Sequence, residues 1–595
     1  MTDCDVKNIP ADSVRICQNC KNSFVIEPED FQFYEKMKVP PPTFCPACRM
    51  IRRFVCWNYR KLFRRQESVE GKEIFSWFHK DAPVKVYDRD YWWSDKWDPL
   101  QYARGYDFSR PFFEQIRELM LQIPWPGTSA LNIQNSPYVN NCSGVKDSYL
   151  CFSGLGIENS AYVVFFTEVK DSFDLFESRH SELCYDSYMV DEAYRVFFSV
   201  NCEESADIWF SRNLQGCSNC FACVNLRNKK YHIFNKPYTK EAYSEFIKGF
   251  NSGSYKSLKE MKQKAHEFWL KFPMRFTLAI NVVNSTGEHI ERTKNVHQGY
   301  SVHESENVKY SQFIENMTDS YDVTRRGTPA SLCYESAVVG LGAERILFST
   351  FCFNGCNDLE YCMYCPGSSN LFGCVGLNKK QYCILNKQYS KEDYFVLREK
   401  IIKHMNEMPF VDKKGRVYKY GEFFPVEFSP FAYNETLAQD FFPLTKEQAE
   451  EKGYLWREPD RKEFGTTIDS GDLPDNIKDV SDDILKEIIK CEICKRAYRI
   501  IEMEFAFLKR IGLPLPRLCY NCRFQERFKF VNPPRFWRRK CQCAGEGDDK
   551  GIYKNTASHP SHAANEHCPN EFETSYAPNR PEIVYCEQCY QEEVL

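Results

Sequence analysis

Four dipeptides in the middle of the chain, Asn135-Ser136, Asp147-Ser148, Asn159-Ser160 and Asp171-Ser172, stand twelve residues apart three times running. Each is followed within two residues by an aromatic: Tyr138, Tyr149, Tyr162 and Phe173. The spacing returns later at Asn295-Val296, Asn307-Val308, Asp319-Ser320 and Ser331-Leu332. A fixed short period restricts a chain to stacked coils, each burying its apolar face on the next. Between the polar turns lie short apolar runs such as "SYLCF", "AYVVFF", "RVFFSV" and "RILFST", strand-like by length and composition. The pattern predicts a mainly β fold, a parallel β-solenoid with few short helices. Twelve residues are read as half a coil, one strand and one Asx-type corner, with a full turn of about 24.

The repeat is itself doubled. Leu183–Tyr243 aligns with Leu332–Tyr394, and each half ends in an amphipathic helix with Thr239 or Ser390 as its N-cap. Such a helix would cover the open end of a solenoid. The many cysteines here, "CSNCFAC" and "CMYC" among them, read as core residues. Cys220 falls opposite Leu371, and a cysteine that exchanges with leucine is a small buried hydrophobe.

The ends carry a different repeat. Cys17–Phe54 and Cys491–Phe528 both read C-x2-C, then 24 residues, then C-x2-C-R. Two such knuckles supply the tetrahedral sulfur set that zinc favours. Cys17, Cys20, Cys45 and Cys48 form one set; Cys491, Cys494, Cys519 and Cys522 form the other. Between the knuckles, "EDFQFYEKMKVPPP" matches "MEFAFLKRIGLPLP", a short helix stopped by proline. The match continues: Gly71–Trp92 lies opposite Pro569–Tyr590, but Glu67, Asp88 and Tyr91 meet Cys541, Cys586 and Cys589. The C-terminal copy therefore carries a further set, drawn from Cys541, Cys543, Cys568, Cys586 and Cys589 with His567 nearby, one of them surplus. The expectation is three structural zinc ions. In the N-terminal copy, apolar packing from "VYDRDYWW" takes the place of the missing one.

These readings divide the chain at 1–92 (one-zinc module), 93–131 (aromatic connector), 132–252 (first solenoid half), 253–280 (helical connector), 281–410 (second half), 411–480 (linker) and 481–595 (two-zinc module). Asp88–Pro124 reads as an interface on the solenoid rather than a base-stacking platform. "SDDILKEIIK" reads as a helix running into Cys491.

The whole pattern resembles a group of zinc-ribbon-containing bacterial proteins common in small-genome bacteria. The motifs that carry the resemblance are the "CxxC…CPxCR" module, "YDRDYWWSDKWDPL", the Cys/Asn-rich repeats and "LTKE.A…GY.WREP". The resemblance brings no activity with it.

Function must therefore be read from charge and chemistry. The net charge of −4 supplies no global field for nucleic acid or membrane. Basic residues nevertheless cluster beside the knuckles: Arg49, Arg52, Arg53, Arg64 and Arg65 at one end, and Arg523, Arg527, Arg535, Arg538 and Arg539 at the other. They are candidate phosphate contacts for RNA or a ribonucleoprotein. The alternative is that they pair with acids of the same modules. The favoured function is a scaffold that presents a rigid solenoid face to a protein partner. Scattered acids and the lack of any H-E-x-x-H spacing argue against an enzyme, and no small-molecule substrate is evident. No run of about 18 apolar residues is present, and "MTDCDVKNIP" lacks a leader pattern. With 29 cysteines, the expectation is the reducing cytoplasm, with no membrane partner.

Overall fold

The computed structural model describes residues 13–458, 465–543 and 568–594. The chain is mainly β, with two parallel β-solenoids and mostly short helices. It folds as two compact units of interleaved connectivity. One joins Met1–Gly127 to Thr277–Glu458; the other joins Thr128–Phe276 to Pro459–Leu595. The N-terminal cysteine module thus belongs to the unit of the second solenoid, and the C-terminal modules to that of the first.

One turn of the solenoid takes twelve residues, half of what the sequence pattern implies. Phe173 pairs with Tyr185, Leu175 with Ser187 and Phe176 with Tyr188, all in parallel register twelve residues on. So tight a turn is possible because every third residue is left-handed. From Asn159 to Asn213 the residues with positive φ recur at each third position, including Tyr162 (φ 62°), Asp174 (φ 58°) and Asp186 (φ 46°). Each coil is therefore four triplets, each with two extended residues and one corner. The residue after each corner points inward. The first solenoid's core cluster, Val163, Phe166, Val169, Leu175, Cys184, Val190 and Val196 among others, keeps this spacing of three throughout. The aromatics of the twelve-residue pattern occupy two neighbouring columns. Tyr149, Ala161 and Phe173 share one, and Tyr162 sits on the adjacent corner.

Serine fills many of the four inward positions of each coil, among aliphatic residues and Phe166, and most of these hydroxyls are hydrogen-bonded. Ser172 Oγ donates to the Lys170 carbonyl (2.7 Å) and accepts the N–H of Cys184 one coil on (3.0 Å). Ser148 and Ser160 form the same ladder below it. Cysteine stands in for serine with little polar demand: Cys184 and Cys223 are fully buried, and their thiols reach the carbonyls that serine would. The sequence reading of these cysteines as core holds.

The second solenoid keeps the triplets but varies the turn. Ala279 pairs with Ile290, eleven residues on. Thr318, Ser331, Glu344 and Asn357 follow one another at thirteen. Ser331 therefore lies over Thr318, not over Asp319 as a strict twelve would place it. The first extra residue enters at a corner where Arg325 and Arg326 are both left-handed (φ 71° and 64°). Placed at a corner, it leaves the ladders on either side intact.

Each solenoid ends in an antiparallel hairpin closed by asparagine. Asn235 pairs through its side-chain amide with the backbone of Val224 (2.9 and 3.0 Å), and Asn386 likewise with Val375 (2.9 and 2.8 Å). Helices Lys240–Gly249 and Lys391–Glu407 follow, capped as expected by Thr239 and Ser390. The aromatic connector packs on the second solenoid: Trp92 meets Tyr364, and Phe112 and Phe113 meet Tyr361. Those rings are committed to the fold. "SDDILKEIIK" is not an α-helix: Asp482–Lys486 is a single 3-10 turn, and Ile489–Lys490 is a strand between Ile468–Asp469 and Ala497–Tyr498. That strand pairing on both sides overrides the local helical pattern. Among the described residues no helix is long and apolar enough to cross a membrane.

Ser172→Ala should leave a buried N–H and weaken a buried carbonyl, costing about 1–3 kcal/mol, while Ser172→Cys should cost less. Hydrogen exchange at the Cys184 amide would show the difference.

Candidate metal centres

Both ends build their knuckles alike. The Cys17 carbonyl accepts the N–H of Lys21 (3.0 Å), which is left-handed (φ 63°); Cys491 and Lys495 repeat this at 3.1 Å and φ 61°. The second knuckle opens a helix at each end. Cys45 is the N-cap of Pro46–Phe54, and Cys519 that of Tyr520–Phe528. Their backbone N–H groups donate to Cys17 Sγ (3.2 Å) and Cys491 Sγ (3.3 Å).

Three four-cysteine groups result: Cys17, Cys20, Cys45 and Cys48; Cys491, Cys494, Cys519 and Cys522; and Cys541, Cys568, Cys586 and Cys589. In each, all four sulfurs lie within 4.8 Å of one another. Among the described residues no other group of three or more His, Cys, Asp or Glu comes as close. The third group answers which thiol is surplus: Cys541 is in the set and Cys543 is not. His567 lies outside the described residues.

The donor sets fit a tetrahedral metal. Four bonds of about 2.3 Å put neighbouring sulfurs about 3.8 Å apart. Cys20 and Cys45 are 3.7 Å apart, Cys494 and Cys519 3.6 Å, and Cys568 and Cys586 3.8 Å. Donors also converge on the sulfurs, as thiolates require. Asn19 Nδ2 reaches Cys48 (3.2 Å), and the N–H groups of Cys543 and Cys586 reach Cys541 (3.4 and 3.2 Å). Hydrogen bonds from Cys45 and Cys48 hold the Cys17 thiol far below its usual range. Burial would raise Cys491, but the N–H groups of Cys519, Cys494 and Ile493 bring it down to about 7. Hydrogen bonds from Cys17 and Cys543 push the Cys45 and Cys541 thiols up to about 12, and burial does the same to Cys151, Cys184 and Cys333 in the solenoids.

The fourth position of the duplicated plan, in the N-terminal copy, contains no thiols. Hairpin Phe63–Gln66/Glu73–Ser76 matches Trp537–Lys540/Glu571–Thr574. Where Cys541 stands, Glu67 accepts the N–H groups of Val69 (2.6 Å), Glu70 (2.7 Å) and Lys72 (3.1 Å). Where Cys586 stands, Asp88 caps a short helix through the Asp90 N–H (2.9 Å). Carboxylate–amide bonds close this loop beside the expected apolar packing: Val86 and Trp92 are buried, and Tyr91, opposite Cys589, packs edge-on against Tyr87 (5.2 Å). Burial would raise the Glu67 carboxyl, but the three amides outweigh it and hold it below the usual range.

The basic clusters resolve into two equivalent joints. Arg49 and Arg53, one turn apart on Pro46–Phe54, meet Asp322 and Glu335, which sit on corners of successive coils. Arg53 reaches both acids at 3.0 Å, and Arg52 bridges Glu335 and Glu422. In the other unit, Arg523 and Arg527 on Tyr520–Phe528 meet Asp174 (3.2 and 2.9 Å), and Arg527 also meets Asp186 (2.9 Å). Burial would raise the Asp186 carboxyl, but Lys262 and Arg527 hold it at about 2. A ring completes each joint: Phe33 stacks on Tyr321 (3.8 Å), and Phe507 packs on Phe173 (4.5 Å).

Arg49, Arg52, Arg53, Arg523 and Arg527 are thus buried against carboxylates and present no guanidinium to a phosphate. Arg65 is half-buried on the carbonyls of His79 and Val84, and Arg539 on those of Tyr576 and Ala577. Arg64 and Arg538 are exposed and face Glu73 and Glu571; Arg535 is exposed beside Trp537. The acids of the joints lie too far along the chain for the sequence pattern to have paired them.

No family model matches the chain, and no curated protein matches it. Among solved structures, one match is a "putative acetyltransferase" from Desulfovibrio desulfuricans G20, 10% identical over 49% of this chain and 75% of that one, with a TM-score of 0.10. A superposition this poor carries no argument.

Two outcomes follow. Asp322→Asn should leave Arg49 and Arg53 with Glu335 alone, a carboxylate that Arg52 also holds, and cost about 3 kcal/mol. Proteolysis should then open the N-terminal module while the second solenoid persists; Asp174→Asn should do the same to the C-terminal module. The Glu67 carboxyl has a lower pKa folded than the roughly 4.3 of an unfolded glutamate, so its stabilisation is complete above that pH. It is lost as pH falls through the folded value. Glu67→Gln should abolish this acid dependence, read from exchange at the Val69, Glu70 and Lys72 amides.

Proposed function

We propose that the protein is a zinc-braced scaffold that offers rigid solenoid faces to a macromolecular partner. The observation that carries this reading is the joint. In each unit the helix opened by a cysteine knuckle is the one that places two buried arginines on the solenoid. A metal at the knuckle fixes the helix start, and the arginines fix the module to the coil. The metal's role is structural: four thiolates fill a tetrahedral shell and leave no open position for substrate. Four-sulfur sets at these separations favour zinc over harder ions. The buried free thiols of the solenoid cores suit a reducing compartment.

RNA binding through the basic clusters is the weaker reading, because half of the arginines that motivated it are enclosed in ion pairs.

Purified protein should contain three zinc ions, each contributing on the order of 10 kcal/mol of apparent binding energy to its local fold. Metal analysis giving two or fewer would remove the third centre. Cys494→Ser should unfold the module around it and leave the solenoid protease-resistant. Chelation that strips all zinc without opening either module to protease would overturn the brace.

A further inference from the structure

The third centre has five thiols for four positions. Cys543 is fully buried, and its thiol hydrogen-bonds with those of Cys541 and Cys589. Its backbone N–H donates to Cys541 Sγ (3.4 Å), so the two residues share one tight C-x-C turn. On its other side, Cys543 Sγ lies 3.9 Å from the Glu593 carboxylate. Among the described residues neither knuckle site has a fifth cysteine beside it. The surrounding core, Ile583, Tyr585, Tyr590 and the ligands themselves, gives Cys543 no contact with solvent.

We infer that Cys543 is an alternate ligand of the third centre, able to take the position of Cys541. The exchange conserves charge. On exchange the proton of Cys543 would pass to the departing Cys541 sulfur along the hydrogen bond the two thiols share, so that protons and charge both balance. The two sulfurs are already neighbours, so the exchange needs a rotation within the C-x-C turn and no movement of the hairpins. Cys568 and Cys586 have no such neighbour and would be indispensable. The inference rests on the proposal that the third centre holds zinc.

The test is zinc content and cobalt spectra of the full chain. Wild type should hold three ions; if it holds two, the zinc reading of this centre fails and the inference falls with it. With three in wild type, Cys541→Ser should retain three and keep the full sulfur-to-cobalt charge-transfer band of a four-thiolate site. Cys543→Ser should also retain three. Cys568→Ser and the double variant Cys541→Ser/Cys543→Ser should hold two. A Cys541→Ser protein with two ions, or with three and a band weakened by about a quarter, as expected of three thiolates, overturns the inference. If Cys541→Ser does not accumulate, chelator competition on Cys543→Ser decides. Loss of one of two interchangeable ligands should release the third ion at about half the chelator concentration; an unchanged midpoint overturns the inference.

Discussion

Two arginines one helical turn apart, set against two carboxylates on successive coils, hold each unit together. Arg49 and Arg53 do this with Asp322 and Glu335; Arg523 and Arg527 do it with Asp174 and Asp186. The match is one of spacing. A helical turn rises about 5.4 Å, and adjacent strands lie about 4.8 Å apart, so residues four apart on a helix face acids one coil apart on a solenoid. Buried charges are costly unless every partner is present, and this gives the joint its specificity: any other register would strand a guanidinium.

The joint constrains what lies on both sides of it. On the solenoid, the acids must project from a corner. Asp174, Asp186, Asp322 and Glu335 all occupy left-handed corner positions, where the outward side chains of successive coils stack in line. On the module, the helix must start at a fixed place. Cys45 and Cys519 are the first residues outside their helices and, at the same time, members of the four-sulfur sets. Four-sulfur set, helix and ion pairs thus form one continuous chain of constraint in each unit.

The comparison within the C-terminal and N-terminal copies shows what the third centre does. Glu67 gathers three amides at the place where Cys541 gathers two. Both accept backbone N–H groups at the turn of the same hairpin. A single carboxylate can close that turn in one copy, whereas in the other the thiolates close it and also tie in the final helix through Cys586 and Cys589. The loop geometry is common; the extent of cross-linking differs.

The cysteine spacings by themselves determined the two knuckle groups and narrowed the third to five thiols, because a metal knuckle is a local motif and its residues are legible wherever they stand. The twelve-residue period likewise determined a parallel β-solenoid, and Thr239 and Ser390 marked the closing helices. The length of the turn was also written there, in the run from Val163 through Phe166, Val169, Ser172 and Leu175 to Cys184, whose spacing of three was the signal that the twelve-residue pattern obscured. Only the tertiary structure decided what the arginines do. Their carboxylates lie more than 250 residues away or on the other side of the repeat, and no local pattern distinguishes a guanidinium meant for phosphate from one meant for a corner aspartate. It alone also separated Cys541 from Cys543, because two thiols of one C-x-C turn differ only in which of them faces Cys568, Cys586 and Cys589.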